Sequence, residues 1–258
     1  MEEFMVPEAI YKYKSIAFKK VDYTKAKKII DSNDKDYDNS NIKYILDIIQ
    51  NHRLYCSTLE ELNDPFEAMH LSIFGDVPAG SSLYSSNGIV PPYMYERFEK
   101  YRILSLTDNP KSCLMWGLYA NNYCGVCIGF NTKNSLNHIK KVSYLTDQDE
   151  KPSCWVNDSL LEEKIVDALH KKFKCWENES EYRIVQKEKY VQFNQEEVEC
   201  LIIGHNVPEI YKNLLTKICE EQNIPVFITY PNKIERQVFI KDIHFQLTFD
   251  GREIESDF

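Results

Sequence analysis

Two carboxylates and an arginine at alternating positions are the pattern in this sequence most suited to chemistry. Glu179, Glu181 and Arg183 lie in the segment Trp176–Arg183, and the apolar residues that follow predict a strand inside a sheet. A carboxylate in such a strand usually has either a partner that neutralises it or a functional role. Arg183 would neutralise an acidic cluster or hold a bound anion. The alternative is that these charges occupy the solvated face of one strand.

A second polar segment follows a strand predicted over residues 53–58. The hydroxyl residues Ser57 and Thr58 end that strand, and Asn63, Asp64 and Glu67 come within the next ten residues. An Asn-Asp pair before a proline is typical of a turn, and a turn accounts for those two residues. A turn does not account for the hydroxyl of Ser57 or the carboxylate of Glu67. The alternative is that these polar residues line the wall of a pocket.

Apolar and aromatic residues in the segment 113–121 have the spacing of one helix face. Met115, Trp116 and Tyr119 recur at intervals that favour a packed helix over an aromatic platform for a ligand. The platform is the alternative, and under it Trp116 is a candidate binding residue.

The elements that would position these residues alternate between strands and helices. The apolar patterns predict strands over 11–15, 53–58, 102–107, 125–130, 142–145, 181–185, 200–204 and 224–230, and helices over 23–30, 42–50, 113–121, 160–173 and 208–221. We therefore expect an α+β fold, with one mixed-sheet domain over 1–258, flanking helices, a core at about 11–204 and a small strand-helix-strand element at about 200–247. The stretch 75–92 is rich in Gly, Pro and Ser and is predicted to form a lid over the pocket.

The composition limits the class of partner. The chain has 258 residues, of which 43% are apolar, and a formal net charge of -9, which is typical of a globular protein. This net negative charge opposes non-specific binding to a nucleic-acid backbone, whose affinity comes from Lys and Arg, and leaves open a local basic pocket for one small anion. No apolar run reaches the roughly 20 residues that span a bilayer, and the first ten residues lack a signal-peptide pattern. We expect a soluble cytosolic protein that does not bind membranes.

The eight cysteines are mostly scattered singly along the chain. Only Cys124 and Cys127 form a Cys-x-x-Cys pair, and this pair leads into the apolar strand predicted over 125–130. Since a structural zinc site needs a second ligand pair, the spacing favours buried structural thiols. A metal site and a redox pair are the alternatives.

Several motifs along the chain resemble those of an uncharacterised bacterial domain family of unknown function. The family resemblance covers most of the chain from Tyr11 to about Gly204, and it is specific for the family but silent on activity. The matching segments are Tyr11–Tyr13, Asn63–Glu67, Ser105–Thr107, Met115–Ala120, Gly125–Phe130 and Trp176–Arg183.

A second resemblance is to ADP-ribosyltransferase-like folds. In those folds a basic residue on the first core strand holds NAD, a second strand with Ser or Thr shapes the nicotinamide pocket, and a late strand carries Glu-x-Glu. This chain has Lys12 or Lys14 in its first strand, Ser57 in the second and Glu179-Ser-Glu181 late, in the same order. Lysine stands here where Arg or His is usual.

The resemblance implies roles for these residues in cleaving the bond between nicotinamide and ribose. Glu181 would stabilise the oxocarbenium character of the transition state and Glu179 would orient an acceptor. Tyr13 or Tyr55 would stack on nicotinamide. The predicted site then contains Glu181 and Glu179 as catalytic residues and, as binding residues, Lys12, Tyr13, Tyr55, Ser57, Asn63, Asp64, Trp116 and Arg183.

Three hypotheses about function follow. The first is an NAD-consuming transferase or glycohydrolase of a bacterial conflict or phage-defence system, with NAD as a substrate. The second is a non-enzymatic sensor module of such a system that binds a nucleotide or a protein. The third is a nuclease or metal-dependent hydrolase that uses Asp64, Glu67, Glu179 and Glu181 as cation ligands, although the sequence lacks a His-rich cluster or a spaced carboxylate signature.

Overall fold

A computed structural model describes residues 6–16, 41–68, 72–74, 97–146, 149, 153–155, 159–243, 246–247 and 253–254. The helix predicted over 23–30 and the lid predicted over 75–92 lie outside these residues. The chain divides into two compact units that interleave along the sequence. The first unit contains Met1–Val6, Leu54–Leu106 and Asn137–Gln192, and the second contains Pro7–Arg53, Thr107–Leu136 and Phe193–Phe258.

The fold is α+β with a mixed sheet, as the sequence predicts. The helices are α1 (Ile42–Asn51), α2 (Cys113–Leu118), α3 (Leu161–Ala168) and α4 (Glu209–Glu221). The strands are β1 (Ala9–Ser15), β2 (Arg53–Tyr55), β3 (Ser72–Phe74), β4 (Arg102–Thr107), β5 (Gly125–Asn131), β6 (Lys140–Lys141), β7 (Ser143–Leu145), β8 (Ser153–Trp155), β9 (Lys171–Phe173), β10 (Glu181–Gln186), β11 (Tyr190–Gln192), β12 (Val198–Ile203), β13 (Val226–Asn232), β14 (Gln237–Asp242), β15 (Gln246–Leu247) and β16 (Glu253–Ile254).

Strands of the second unit lie in the order β14-β13-β12-β5-β1. β1 and β5 pair antiparallel over seven residues, from Ala9 opposite Asn131 to Ser15 opposite Gly125. β5 is buried from Gly125 to Phe130, and its unbroken apolar sequence is typical of a strand covered on both faces. β12 and β13 are parallel and are joined by α4, so the predicted strand-helix-strand element is confirmed.

The core of the second unit is built around α2. Trp116 is fully buried, its ring stacks on Tyr123 at a centroid distance of 5.5 Å, and it meets the edge of Tyr13 at 5.2 Å. Met115 and Cys127 complete this buried cluster with Ala120 and Ile202. The helical spacing of Met115 and Trp116 therefore marks a packed helix face, as predicted.

The first unit places α3 against the strands that carry the charged residues. Its strands lie in the order β4-β10-β6, and its core packs Leu161, Ile165 and Ala168 of α3 against Ile103 of β4. Positions i, i+4 and i+7 of a helix share one face, which explains why these apolar residues are buried together.

The predicted helix over 160–173 is shorter in the structure, because α3 ends at Ala168 and β9 begins at Lys171. The backbone leaves the helix at His170, whose carbonyl accepts a hydrogen bond of 2.9 Å from Ser143 N, and β9 then pairs in parallel with β7. Tertiary pairing thus overrides local helix propensity at this point.

None of the helices in the described part of the chain has the length and apolar character needed to cross a membrane.

Candidate functional site

Five buried charged residues come together in the first unit. Glu181 and Arg183 alternate on β10, Lys172 lies on β9, Glu179 ends the 3₁₀ turn before β10, and Glu67 lies in a turn far upstream. Each of the five is at most 6% exposed. Because ionised side chains are buried only when they are paired, their contacts decide what this charged cluster does.

Arg183 uses every N–H of its guanidinium group within the cluster. Nε donates to Glu181 Oε1 at 2.7 Å, and Nη1 donates to Glu67 Oε2 at 2.9 Å and to the Leu169 carbonyl at 2.8 Å. Nη2 donates to Glu181 Oε2 at 3.1 Å and to Glu67 Oε1. The prediction that Arg183 neutralises an acidic cluster is confirmed. The alternative of a solvated charged face is wrong for Glu179, Glu181 and Arg183.

Lys172 links the two carboxylates of the Glu-x-Glu pair. Its Nζ donates to Glu179 Oε2 at 2.6 Å and to Glu181 Oε2 at 3.2 Å, and it lies 4.5 Å from the centre of the Trp176 ring. The sequence pattern placed this lysine in a helix, so the predicted site did not include it. No signal in the residue spacing pointed to it, because its partners depend on the turn of the chain at His170.

The contacts fix the charge of the two best-paired groups. Burial works to raise the pKa of Glu181, but the charges of Arg183 and Lys172 prevail and lower it to about 2. Burial works to lower the pKa of Lys172, but Glu181 and Glu179 raise it above its usual value. Glu181 and Lys172 are therefore both charged at neutral pH.

Glu67 differs from Glu181, since burial raises its pKa despite its hydrogen bonds to Arg183. Three carboxylates share two cations in this cluster, so a fully ionised cluster would carry one excess negative charge. Nearby, Asp64 is also buried. One of its oxygens accepts from Phe66 N at 2.9 Å, and the other has no hydrogen-bond partner among the described residues.

The remaining predicted residues of the first unit have local partners. Tyr55 donates its hydroxyl to Glu61 and meets the edge of the Tyr190 ring. Ser57 forms a backbone bridge with Ile103, and Asn63 is exposed. The geometry gives Tyr55 and Ser57 roles in the structure of this unit.

Three predicted binding residues lie in the second unit. Lys12 lies opposite Ile128 in the β1–β5 pair. Tyr13 is buried and donates its hydroxyl to the Asn109 carbonyl at 2.9 Å, while the indole N–H of Trp116 donates to the Pro110 carbonyl at 2.9 Å. A fully buried indole has no ring face left for a ligand.

Cys124 and Cys127 are both free thiols. Cys127 is fully buried on β5 and burial raises its pKa well above the usual value, so it stays protonated at neutral pH. In the described part of the chain, no group of three or more His, Cys, Asp or Glu side chains has the arrangement of a metal site.

A groove of about 740 Å³ lies between α3 and β6 in the first unit, and we call it the α3–β6 groove. This volume is within the range of ligand sites in proteins. Its lining residues are Tyr101, Ile139, Lys140, Lys141, Ser143, Glu162, Glu163, Val166, Asp167 and His170.

The two walls of the α3–β6 groove carry opposite charges. Glu162 of α3 accepts hydrogen bonds from Lys100 and Tyr101, and Asp167 pairs with Lys171. Glu163 on the α3 wall and Lys140 on the β6 wall form no ion pair with any residue in the described ranges. Burial lowers the pKa of His170, so its ring is neutral at physiological pH. An acidic α3 wall thus faces a basic β6 wall.

A smaller, more apolar cavity of about 500 Å³ lies beside the charged cluster. Phe66 and Phe173 meet edge to face there at a centroid distance of 5.8 Å, and Phe66 is about half exposed. The lining is completed by Leu145, Thr146, Lys174 and Cys175.

Residues 115–184 match the model of a family described as a protein of unknown function, DUF2971. The match confirms the resemblance to an uncharacterised family over these residues. It includes four members of the charged cluster, namely Lys172, Glu179, Glu181 and Arg183, and every lining residue of the α3–β6 groove except Tyr101. Comparison with curated proteins and with solved structures gave no match.

Proposed function

We propose that the protein is a non-catalytic binding module whose α3–β6 groove recognises a segment of a partner protein that carries both signs of charge. The observation that carries the proposal is the pair of opposed groove walls, with Glu163 on one and Lys140 on the other. Charges placed this way select a partner more than they add affinity, because a wrong charge on either wall is repelled.

The charges favour a protein segment over a nucleotide. A nucleotide phosphate would be attracted by Lys140 but repelled by Glu163 on the opposite wall, where Glu162 and Asp167 already pair with lysines. A peptide can place an acidic side chain near the β6 wall and a basic one near α3. Val166 adds apolar surface to the lining of the groove.

The contacts of Glu181 also favour binding over catalysis. This carboxylate is 3% exposed, and both of its oxygens accept hydrogen bonds from Arg183. A substrate could reach it only by displacing buried charge-assisted hydrogen bonds, which are among the strongest in proteins. In this proposal the charged cluster stabilises the first unit and the groove recognises the partner.

A phage-displayed library of random peptides, selected on the immobilised full chain, tests the proposal. We expect wild type to enrich peptides with both an acidic and a basic residue. Lys140→Glu should abolish the preference for the acidic residue and Glu163→Lys the preference for the basic one, while Glu188→Lys on an exposed loop gives the wild-type preference. Enrichment of no peptides, or of the same peptides by all four proteins, would refute the proposal.

A second proposal, NAD consumption, rests on the meeting of Glu179 and Glu181 at Lys172. Glu181 is ionised at neutral pH, as a carboxylate that stabilises an oxocarbenium ion has to be. Nicotinamide release from NAD, followed by NMR with wild type and Glu181→Gln, tests it. Release by wild type and its loss in the variant support the enzyme, whereas no release and no NAD binding by calorimetry exclude it.

A further inference from the structure

The outer edge of β6 forms one side of the α3–β6 groove. β6 is the last strand in its row, and it pairs antiparallel with β10 through Lys141 opposite Tyr182 and Lys140 opposite Arg183. No other strand of the described ranges pairs with β6. The edge of a sheet offers backbone N–H and C=O groups to another chain.

The hydrogen-bond pattern shows which backbone groups face outward. Val142 N donates to the Glu181 carbonyl at 2.9 Å, so the backbone N–H of Val142 points toward β10, while Glu181 N donates to the Tyr144 hydroxyl at 2.8 Å. Pairs alternate along an antiparallel ladder, and Lys141 with Tyr182 is therefore a non-hydrogen-bonded pair. The N–H and C=O of Lys141 consequently point away from β10.

The next outward-facing residue confirms this direction. Ser143 N points away from β10 and donates to the carbonyl of His170, at the start of β9. At Ser143 the protein itself occupies the outer edge, and two residues earlier, at Lys141, the same edge opens onto the groove.

We infer that the partner segment binds in an extended conformation and pairs with the N–H and C=O of Lys141, lying beside β6 in the α3–β6 groove. This inference rests on the proposed function and names how that function is carried out. It accounts for a polar groove beside a sheet edge, since main-chain hydrogen bonds supply affinity and the two charged walls supply sequence preference.

The geometry also predicts the spacing of the charged residues in the partner. Alternate side chains of a strand point to the same side, so the residues that face the groove walls are two positions apart. One should be acidic and lie near Lys140, and the other should be basic and lie near Glu163. The two exposed lysines of β6 would repel a strand that lacks an acidic residue, as lysines at sheet edges commonly do.

N-methylation of the peptides selected by the phage library tests the extended mode. A methyl group on the amide that bonds to Lys141 removes a donor and blocks close approach, so we expect Kd to rise by about 10-fold or more when that amide is methylated. The amides one residue before and one residue after it face away from β6, and their methylation should change Kd by less than about 3-fold.

Two protein variants complete the test. Lys141→Pro removes the outward N–H, whereas Lys141→Ala removes only the side chain, so the ratio of their Kd values reports the backbone bond. We expect Lys141→Pro to bind about 10-fold more weakly than Lys141→Ala, with urea midpoints showing that both fold.

The outcomes separate the inference from the function beneath it. Peptides that bind but respond to no N-methylation would overturn the extended mode and leave the binding module intact. A library that yields no peptide would overturn both. If Lys141→Pro fails to fold, the N-methyl series decides alone, because it leaves the protein unchanged.

Discussion

Removing the guanidinium group from the charged cluster is the sharpest test of what the cluster does. Arg183→Met replaces the side chain with a long apolar one and deletes all five N–H donors, so Glu67 and the Leu169 carbonyl lose their bonds to Arg183 and Glu181 keeps only Lys172 as a cation partner. Breaking a buried ion pair on one side costs about 3–5 kcal/mol, because the remaining charge is buried without compensation. Arg183 serves two carboxylates, so we expect a loss at the upper end of this range.

Urea denaturation followed by circular dichroism measures the loss as a shift in midpoint at an unchanged slope. Lys100→Met is the matched control in the same unit, since it removes a cation from the pair between Lys100 and Glu162, whose side chains are 36% and 50% exposed. A pair this exposed contributes about 0–1 kcal/mol. Arg183→Lys should fall between these two variants, because it restores the charge without the planar fork of donors.

A double variant separates ion pairing from packing. Glu67→Met combined with Arg183→Met removes one of the stranded carboxylates, so it should be more stable than Arg183→Met alone. If Arg183→Met is no less stable than Lys100→Met, the structural role of the charged cluster is refuted. The total stability of a domain is about 5–15 kcal/mol, so a loss of this size can unfold Arg183→Met. In that case Arg183→Lys, alone and combined with Glu67→Met, gives the measurement.

Three further predictions concern pH, backbone packing and a buried cap. The pKa of Glu181 is lowered to about 2, so its contribution to stability is fully present above the ordinary pKa of a glutamate and is lost as pH falls toward 2. The free energy of unfolding from urea denaturation should drop across this range by roughly 3 kcal/mol more for wild type than for Glu181→Gln; the same pH dependence in both proteins would contradict the assigned charge. A Cβ at Gly125 would lie 2.3 Å from the Lys14 carbonyl, whereas one at Gly117 would have its closest neighbour at 4.0 Å. Gly125→Ala should therefore lower the thermal midpoint strongly, whereas Gly117→Ala should leave stability unchanged or raise it by up to about 1 kcal/mol; similar midpoints for both variants would refute the packing argument. The buried carboxylate of Glu197 accepts hydrogen bonds from Ser135 N and Ser135 Oγ, both at 2.7 Å, and from Asn194. Glu197→Ala should lower the free energy of unfolding, measured by urea denaturation, by about 1–3 kcal/mol. Glu196 is the exposed neighbour in the same turn, and Glu196→Ala should lower it by less than half as much.

The sequence by itself determined most of the regular elements, because their signals are local. Apolar periodicity placed β4 and α1 within one residue of their observed bounds, and the unbroken apolar run 125–130 marked the buried strand β5. The alternation of Glu181 and Arg183 before apolar residues predicted a strand inside the sheet with a charge pair on it, and both side chains are buried and paired.

Only the tertiary structure decided the partners of those charges. Arg183 binds Glu67 across 116 residues, and no pattern in the chain measures a separation of that kind. Lys172 belongs to the cluster because the chain turns at His170 and pairs β9 with β7, although the segment that contains Lys172 has a helical pattern in the sequence. The α3–β6 groove arises in the same way. Its acidic wall follows from the helix pattern, but its basic wall is a two-residue strand whose existence depends on pairing with β10, and such pairing is a property of the assembled sheet.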